Sequence, residues 1–259
     1  MHCWHFKTKP FTKYHKKMNR KVIIIKGYSN DLSELHADNY YVNSYYTYFK
    51  SIAGGAYESD EIVQLLEPKS VDLDLLISKL GIEYCVIIFI GHGATQDNYQ
   101  LFKLNKTEII QPGQLNFQAD KTLVILESCR SEVDNVLAVD LSDKLPKFKY
   151  GGTVRSPIDR VKAKDLYFQN MKNCNNGIVL CFACSINEEA FNYYFSYGLI
   201  QKSHDYHLNS SFHLQVHSIQ TIMAVLIKQL PNFVHTKIGK IQTPEIKGKF
   251  DYPFAISKF

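Results

Sequence analysis

Cys85-Val86-Ile87-Ile88-Phe89-Ile90-Gly91-His92-Gly93 is the stretch on which the reading of this chain turns. Six apolar residues, most of them β-branched, run without a break and stop at a glycine. The run is too short for a helix and lacks polar alternation. It predicts a strand covered on both faces, as in the middle of a parallel sheet. Working outward, residues 21–27, 122–126 and 177–184 carry similar runs, and 61–66 reads as a short strand. Helical spacing separates them. Tyr41, Tyr45, Tyr48, Phe49 and Ile52 share one face over 38–52, which Gly54-Gly55 closes. Leu73, Leu76, Ile77 and Leu80 do the same over 71–80. A long amphipathic helix is predicted over 212–230 and a last strand over 252–257. This alternation predicts an α/β fold, a three-layer α/β/α sandwich on a mainly parallel sheet, in one domain over 21–259.

Composition narrows the function classes. The chain is 45% hydrophobic and 21% charged, enough apolar material for a sizeable core. Its longest apolar runs are strand-sized, far from the roughly 20 residues that span a bilayer. Six lysines and arginines and no acids fall within residues 1–20, so a net charge of +5 becomes about −1 without them. The basic character belongs to an N-terminal extension, read as flexible, and not to a nucleic-acid-reading face. No apolar leader accompanies it, so neither a membrane nor a specific nucleic acid is expected as partner. Cys3, Cys85, Cys129, Cys174, Cys181 and Cys184 are read as reduced thiols of a cytoplasmic protein. Cys85 and Cys181 lie in strand patterns and are expected in the core.

Two strands end in reactive residues. Residues 86–90 run into Gly91-His92-Gly93, and 123–126 run into Glu127-Ser128-Cys129-Arg130. In an open α/β sheet, sites form beyond the C-terminal ends of the strands. His92 and Cys129 would then meet on one rim, where the imidazole either takes the thiol proton or holds a thiolate–imidazolium pair. Gly93 lets a backbone approach closely. The N–H groups of Gly93 and Cys129 are candidates for holding an oxyanion.

Strand–Gly-His-Gly, followed about 35 residues later by strand–Glu-Ser-Cys-Arg-Ser, resembles the caspase-like (clan CD) family. The chain is more similar to metacaspases, paracaspases and bacterial caspase-family proteins than to animal caspases. Lys50-Ser51, Gly54-Gly55-Ala56, Glu61-Ile62, Glu188-Glu189-Ala190, Phe195-Ser196 and Gln242-Thr243-Pro244-Glu245 extend the likeness over about residues 21–258. The resemblance implies a six-stranded caspase-like sheet and a cysteine endopeptidase acting on polypeptides. Cys129 is then the nucleophile and His92 the general acid/base, with Gly93 and Cys129 as the oxyanion hole and no obligatory third acid. It also implies a substrate pocket (S1) for Arg or Lys, because Glu127 stands two residues ahead of the cysteine. Asp38 is close to the position of a second family acid, which aligns with Tyr40. Ile90 stands where many metacaspases have serine. A catalytically silent scaffold or partner-binding module on the same fold is the alternative, and a cysteine hydrolase of another amide bond is a third reading.

Other patterns carry less. Cys181-Phe182-Ala183-Cys184 places its cysteines on opposite faces of a strand, which suits core packing. His213 and His217 lie four apart on the predicted helix, but no third ligand accompanies them. No cofactor and no metal are expected. Asp134, Asp140 and Asp143 are present, yet 94–99 lacks the acidic segment that calcium-dependent metacaspases carry, so no calcium requirement is expected. Residues 133–176 read as a long loop between large- and small-subunit-like parts, with a helix at 161–171. Its Lys144, Lys147, Lys149, Arg155, Arg160, Lys162 and Lys164 offer sites for self-cleavage or for an activating protein. A solvated linker is the equal alternative.

Overall fold

The structure is a computed structural model that describes residues 19–77, 81–97, 99–115, 118–131, 157–191, 193–209 and 215–257. The chain begins with β1 (Arg20–Lys26), α1 (Leu32–Lys50), β2 (Ile62–Leu66), α2 (Ser70–Ile77) and β3 (Tyr84–Ile90). A small sheet of β4 (Gly93–Gln96), β5 (Tyr99–Lys103) and β6 (Ile109–Ile110) precedes β7 (Lys121–Glu127). Then come α3 (Pro157–Lys172), β8 (Gly177–Phe182), α4 (Tyr194–Asn209), β9 (Val216–Ser218), α5 (Ile219–Ile238), β10 (Glu245–Lys247) and β11 (Pro253–Ile256).

Six strands form the main sheet in the order β10-β8-β7-β3-β1-β2. Every pair is parallel except the edge pair β10–β8. The apolar runs occupy its centre, and all seven residues of β3 and of β7 are buried. Alternate side chains feed two cores, as strand geometry requires. Val22, Ile24, Val86, Ile88, Leu123 and Ile125 pack under α1, α3, α4 and α5. Ile23, Ile25, Ile87, Phe89, Val124 and Leu126 face Leu73 of α2 and Phe102 and Ile110 of the small sheet. Each such side chain, fully withdrawn from water, contributes roughly 1.5–3 kcal/mol. The three-layer α/β fold with a mainly parallel six-stranded sheet is therefore present.

Boundaries differ from the sequence reading where polar contacts outweigh apolar spacing. Helix α1 starts six residues before 38, because the Asp31 carboxylate caps it, accepting from the N–H groups of Ser33 (2.7 Å) and Glu34 (2.9 Å). It ends at Lys50, ahead of the glycine pair. Helix α5 starts at Ile219 and not at 212, capped by Ser218, because Val216–Ser218 pairs as a strand. His217 is thus on β9, and His213 lies outside the described residues. The C-terminal strand β11 pairs with β9 and stays out of the main sheet, whose sixth strand is β10. The small sheet and α4 are additions that the apolar pattern did not announce.

Residues 1–18 of the basic extension lie outside the described residues. Arg20, counted with that extension, is buried in β1, stacks on the Tyr57 ring at 3.7 Å and pairs with Glu61 at 3.1 Å. Residues 132–156, with Asp134, Asp140, Asp143, Lys144, Lys147, Lys149 and Arg155, also lie outside. The helix expected at 161–171 is the longer α3. On it, Arg160 and Lys164 both bind Glu58, so these two cations are anchored on the body of the fold.

Candidate active site

The site grows from the pairing of β3 with β7. These neighbours run parallel with Ile90 opposite Glu127, and the Gly91 N–H donates to the Glu127 carbonyl at 3.2 Å. His92 and Cys129 each stand two residues beyond that last pair, so both leave the same end of the sheet. Gly91 makes the exit possible. Its φ is +149°, and a Cβ there would lie 3.1 Å from Gly27 Cα of the neighbouring strand exit.

His92 is 31% exposed at its side chain. Its Nε2 lies 3.0 Å from Glu34 Oε2 and 2.8 Å from Asn30 Nδ2, both supplied by the β1–α1 connection and the first turn of α1. Asp31 caps that turn and so fixes Glu34 where the imidazole can reach it.

Gly93 opens β4 against the cysteine segment. A Cβ on it would lie 2.7 Å from Ser128 Cβ and 2.8 Å from the Cys129 carbonyl oxygen. Hydrogen-bonded and non-bonded pairs alternate along an antiparallel ladder. His92 accepts from Lys103 N–H at 3.0 Å, so the next pair, Gly93 with Phe102, is a non-bonded one. The Gly93 N–H therefore turns away from β5. Thr95, two residues on, points its N–H the same way and donates to Ser131 at 2.8 Å. The Gly93 amide thus faces the 129–131 segment, and the Cys129 N–H donates to no acceptor among the described residues.

Cys129 Sγ sits against Ala190. It receives the Ala190 N–H at 3.4 Å and faces the Ala190 carbonyl at 3.7 Å. Burial pushes the thiol up to about 11, partly offset by the Ala190 N–H, and the charges of Glu189, Glu127 and Glu34 add to the rise. Beside it, Glu189, Phe191, Ser131 and Lys240 line an open cavity of about 530 Å³.

Glu127 and Asp38 are both buried beneath this rim. Glu127 Oε2 accepts the Ser196 N–H at 2.6 Å, while Oε1 is buried with no partner among the described residues. Burial lifts its carboxyl to about 7, the Ser196 contact opposes that, and the Asp38 charge adds to it. Asp38, on α1, accepts from the Ser29 hydroxyl (2.6 Å) and the Tyr193 hydroxyl (2.7 Å). Its own carboxyl is raised, mainly by burial, against the pull of those hydroxyls. All five residues singled out in the sequence, His92, Gly93, Glu127, Cys129 and Asp38, thus gather at one end of the sheet. Asn30, Glu34 and Tyr193 were missed, and Ala190 and Ser196 stood only as parts of family-like segments without a role. For Glu34 a signal existed: Asp31-Leu32-Ser33-Glu34 has the spacing of a helix start.

Arg130 ignores Glu127 and instead binds Glu245 (2.6 Å), Gln100 (3.0 Å) and the Cys184 carbonyl (3.1 Å). The Ser128 hydroxyl is buried against Gly93. Cys181 and Cys184 are both buried, as core packing requires. Among the described residues, no group of three or more His, Cys, Asp and Glu side chains could hold a metal, and no helix is long and apolar enough to cross a membrane.

Neither a protein-family model nor a curated protein matches the chain. Solved structures do. Caspase-1 from Spodoptera frugiperda aligns over 91% of this chain and 90% of its own, at 10% identity and a TM-score of 0.50. The Drosophila initiator caspase Dronc aligns over 91% of this chain and 82% of its own, at the same identity and TM-score. At such identity the likeness is one of fold: the chain has a caspase-like α/β sandwich.

Proposed function

We propose that this chain is a cysteine endopeptidase, akin to metacaspases and paracaspases, that cleaves polypeptides after Arg or Lys. The observation that carries the reading is the exit of His92 and Cys129 from adjacent, in-register parallel strands. In this scheme Cys129 Sγ attacks the scissile carbonyl carbon while its proton passes to His92. The Gly93 and Cys129 amides receive the oxyanion. His92 then protonates the leaving amine, and a thioacyl-enzyme remains. Water, deprotonated by His92, hydrolyses it to the free carboxylic acid and thiol.

Support for a basic side chain before the scissile bond comes from Glu127 and Asp38. Two buried carboxyls, of which Glu127 is raised further by the Asp38 charge and keeps an oxygen without a partner among the described residues, form a place that a guanidinium or ammonium group would relieve. We propose that residues 21–259 form one peptidase domain, with self-cleavage or an activator acting in the connection over 133–176. We assign it to the cytoplasm from its cysteine usage.

The test is direct. Fluorogenic peptides with Arg, Lys or Asp before the cleaved bond are offered to wild type, Cys129→Ala and His92→Ala, each before and after limited proteolysis. Cleavage after Arg or Lys that disappears in both variants is expected. Identical behaviour of all three proteins would leave the fold as a silent scaffold.

A further inference from the structure

Resting on the reading of His92 as the general base, we propose that Glu34 is its positioning residue, the third member of a Cys129–His92–Glu34 array. Glu34 Oε2 lies 3.0 Å from His92 Nε2, with the glutamate side chain 15% exposed. That same oxygen also accepts the Asn30 N–H at 2.6 Å, which pins the carboxylate from behind. Asp31 caps the turn that carries it. The group is therefore held by its own backbone and is not a long surface side chain in a chance ion pair.

The chemistry follows from the proton count. A carboxylate oxygen at hydrogen-bond distance from a bare ring nitrogen would set lone pair against lone pair. Nε2 therefore carries a proton and donates it to Glu34. Asn30 Nδ2, 2.8 Å from the same nitrogen, would donate to a bare Nε2; the carboxylate charge decides against it, and the amide turns over so that its oxygen shares the one ring N–H with Glu34. Fixing the proton on Nε2 leaves Nδ1 as the basic nitrogen. That is the tautomer a histidine needs when its second nitrogen must take a proton from a thiol. When His92 becomes an imidazolium during attack, the carboxylate stabilises it without leaving the hydrogen bond. The Glu34 charge costs something in return, since it also raises the Cys129 thiol. Glu34 thus favours proton transfer to His92 and disfavours a free thiolate.

The experiment uses the full chain, wild type and Glu34→Gln, with Glu34→Asp as the variant that keeps a carboxylate. Nitrogen NMR of ¹⁵N-histidine-labelled protein reads the His92 tautomer, assigned by its loss in His92→Ala. Wild type should show the Nε2–H form, and Glu34→Gln a mixture or the Nδ1–H form, with both proteins folded by their amide spectra. On the cleaved peptide, Glu34→Gln should lose about 10²-fold in kcat with KM little changed, and Glu34→Asp should recover part of it. An Nδ1–H wild-type ring, or a tautomer unaltered by Glu34→Gln, overturns the assignment. The spectroscopic arm needs no turnover, so a chain that cleaves no peptide yet shows the Nε2–H ring sinks the peptidase reading and leaves the Glu34 contact standing.

Discussion

Cys129 Sγ rests against the backbone of Ala190, with the N–H at 3.4 Å and the carbonyl oxygen at 3.7 Å. Burial raises the thiol to about 11, so it is protonated at rest. Alkylation of Cys129 by iodoacetamide should be slow at pH 7 and should climb toward pH 11, because the thiolate is the nucleophile and its fraction at pH 7 is on the order of 10⁻⁴. Mass spectrometry of the modified peptide across pH checks this. Equal rates at pH 7 and pH 10 would mean that the thiol rests as an ion pair.

Glu127 makes the fold sensitive to pH in a defined direction. Its carboxyl is raised to about 7 in the folded state, so between about pH 4.5 and 7 the folded chain binds more protons than the unfolded one. Stability from this group is thus fully present below pH 4.5 and falls as pH rises to 7. Glu127→Gln keeps an acceptor for the Ser196 N–H and removes the charge. Urea unfolding should find the variant more stable than wild type by up to about 3 kcal/mol at pH 8 and equal to it at pH 4. A variant weaker than wild type at pH 8 would count against the buried charge.

Gly93→Ala tests the close approach of β4 to the cysteine segment. The new Cβ meets Ser128 Cβ and the Cys129 carbonyl, neither of which can swing away. Peptide cleavage should fall below detection, while stability drops by about 1–3 kcal/mol. Retained cleavage would remove the Gly93 amide from the oxyanion site.

Arg130 ties three pieces together: β5 through Gln100, the end of β8 through Cys184, and β10 through Glu245. Arg130→Ala leaves the buried Gln100 and the Cys184 carbonyl without their donor and should cost about 1–3 kcal/mol, with Arg130→Met, which keeps a side chain of similar length beside Phe182, costing less. Chemical denaturation of both variants measures it.

The sheet was legible because its strands are apolar without interruption. Val22 to Ile25, Val86 to Ile90 and Leu123 to Leu126 need no partner information to be recognised as central. The reactive residues were legible because each follows directly on such a run. What escaped is set by single polar contacts. The start of α1 depends on the Asp31 carboxylate, which apolar spacing does not register. Helix α4 opens beside Tyr193, whose backbone takes φ +55° and whose hydroxyl seeks Asp38, 155 residues away. Glu34 shares its site with His92 across 58 positions. No local pattern records a partner at that distance.

Strands β1, β3 and β7, which end at the site, also supply central residues of both hydrophobic cores. Hydrogen exchange should accordingly be slowest in the backbone amides just beneath His92 and Cys129, opening only when the whole chain melts. The turn bearing Ala190 is tied to the same core, with Ala190 packed against it and Phe191 buried in it, its N–H on Gln242. Chemistry would then rest on an anvil that cannot yield, so heating should abolish activity and tertiary structure in a single transition and not one after the other.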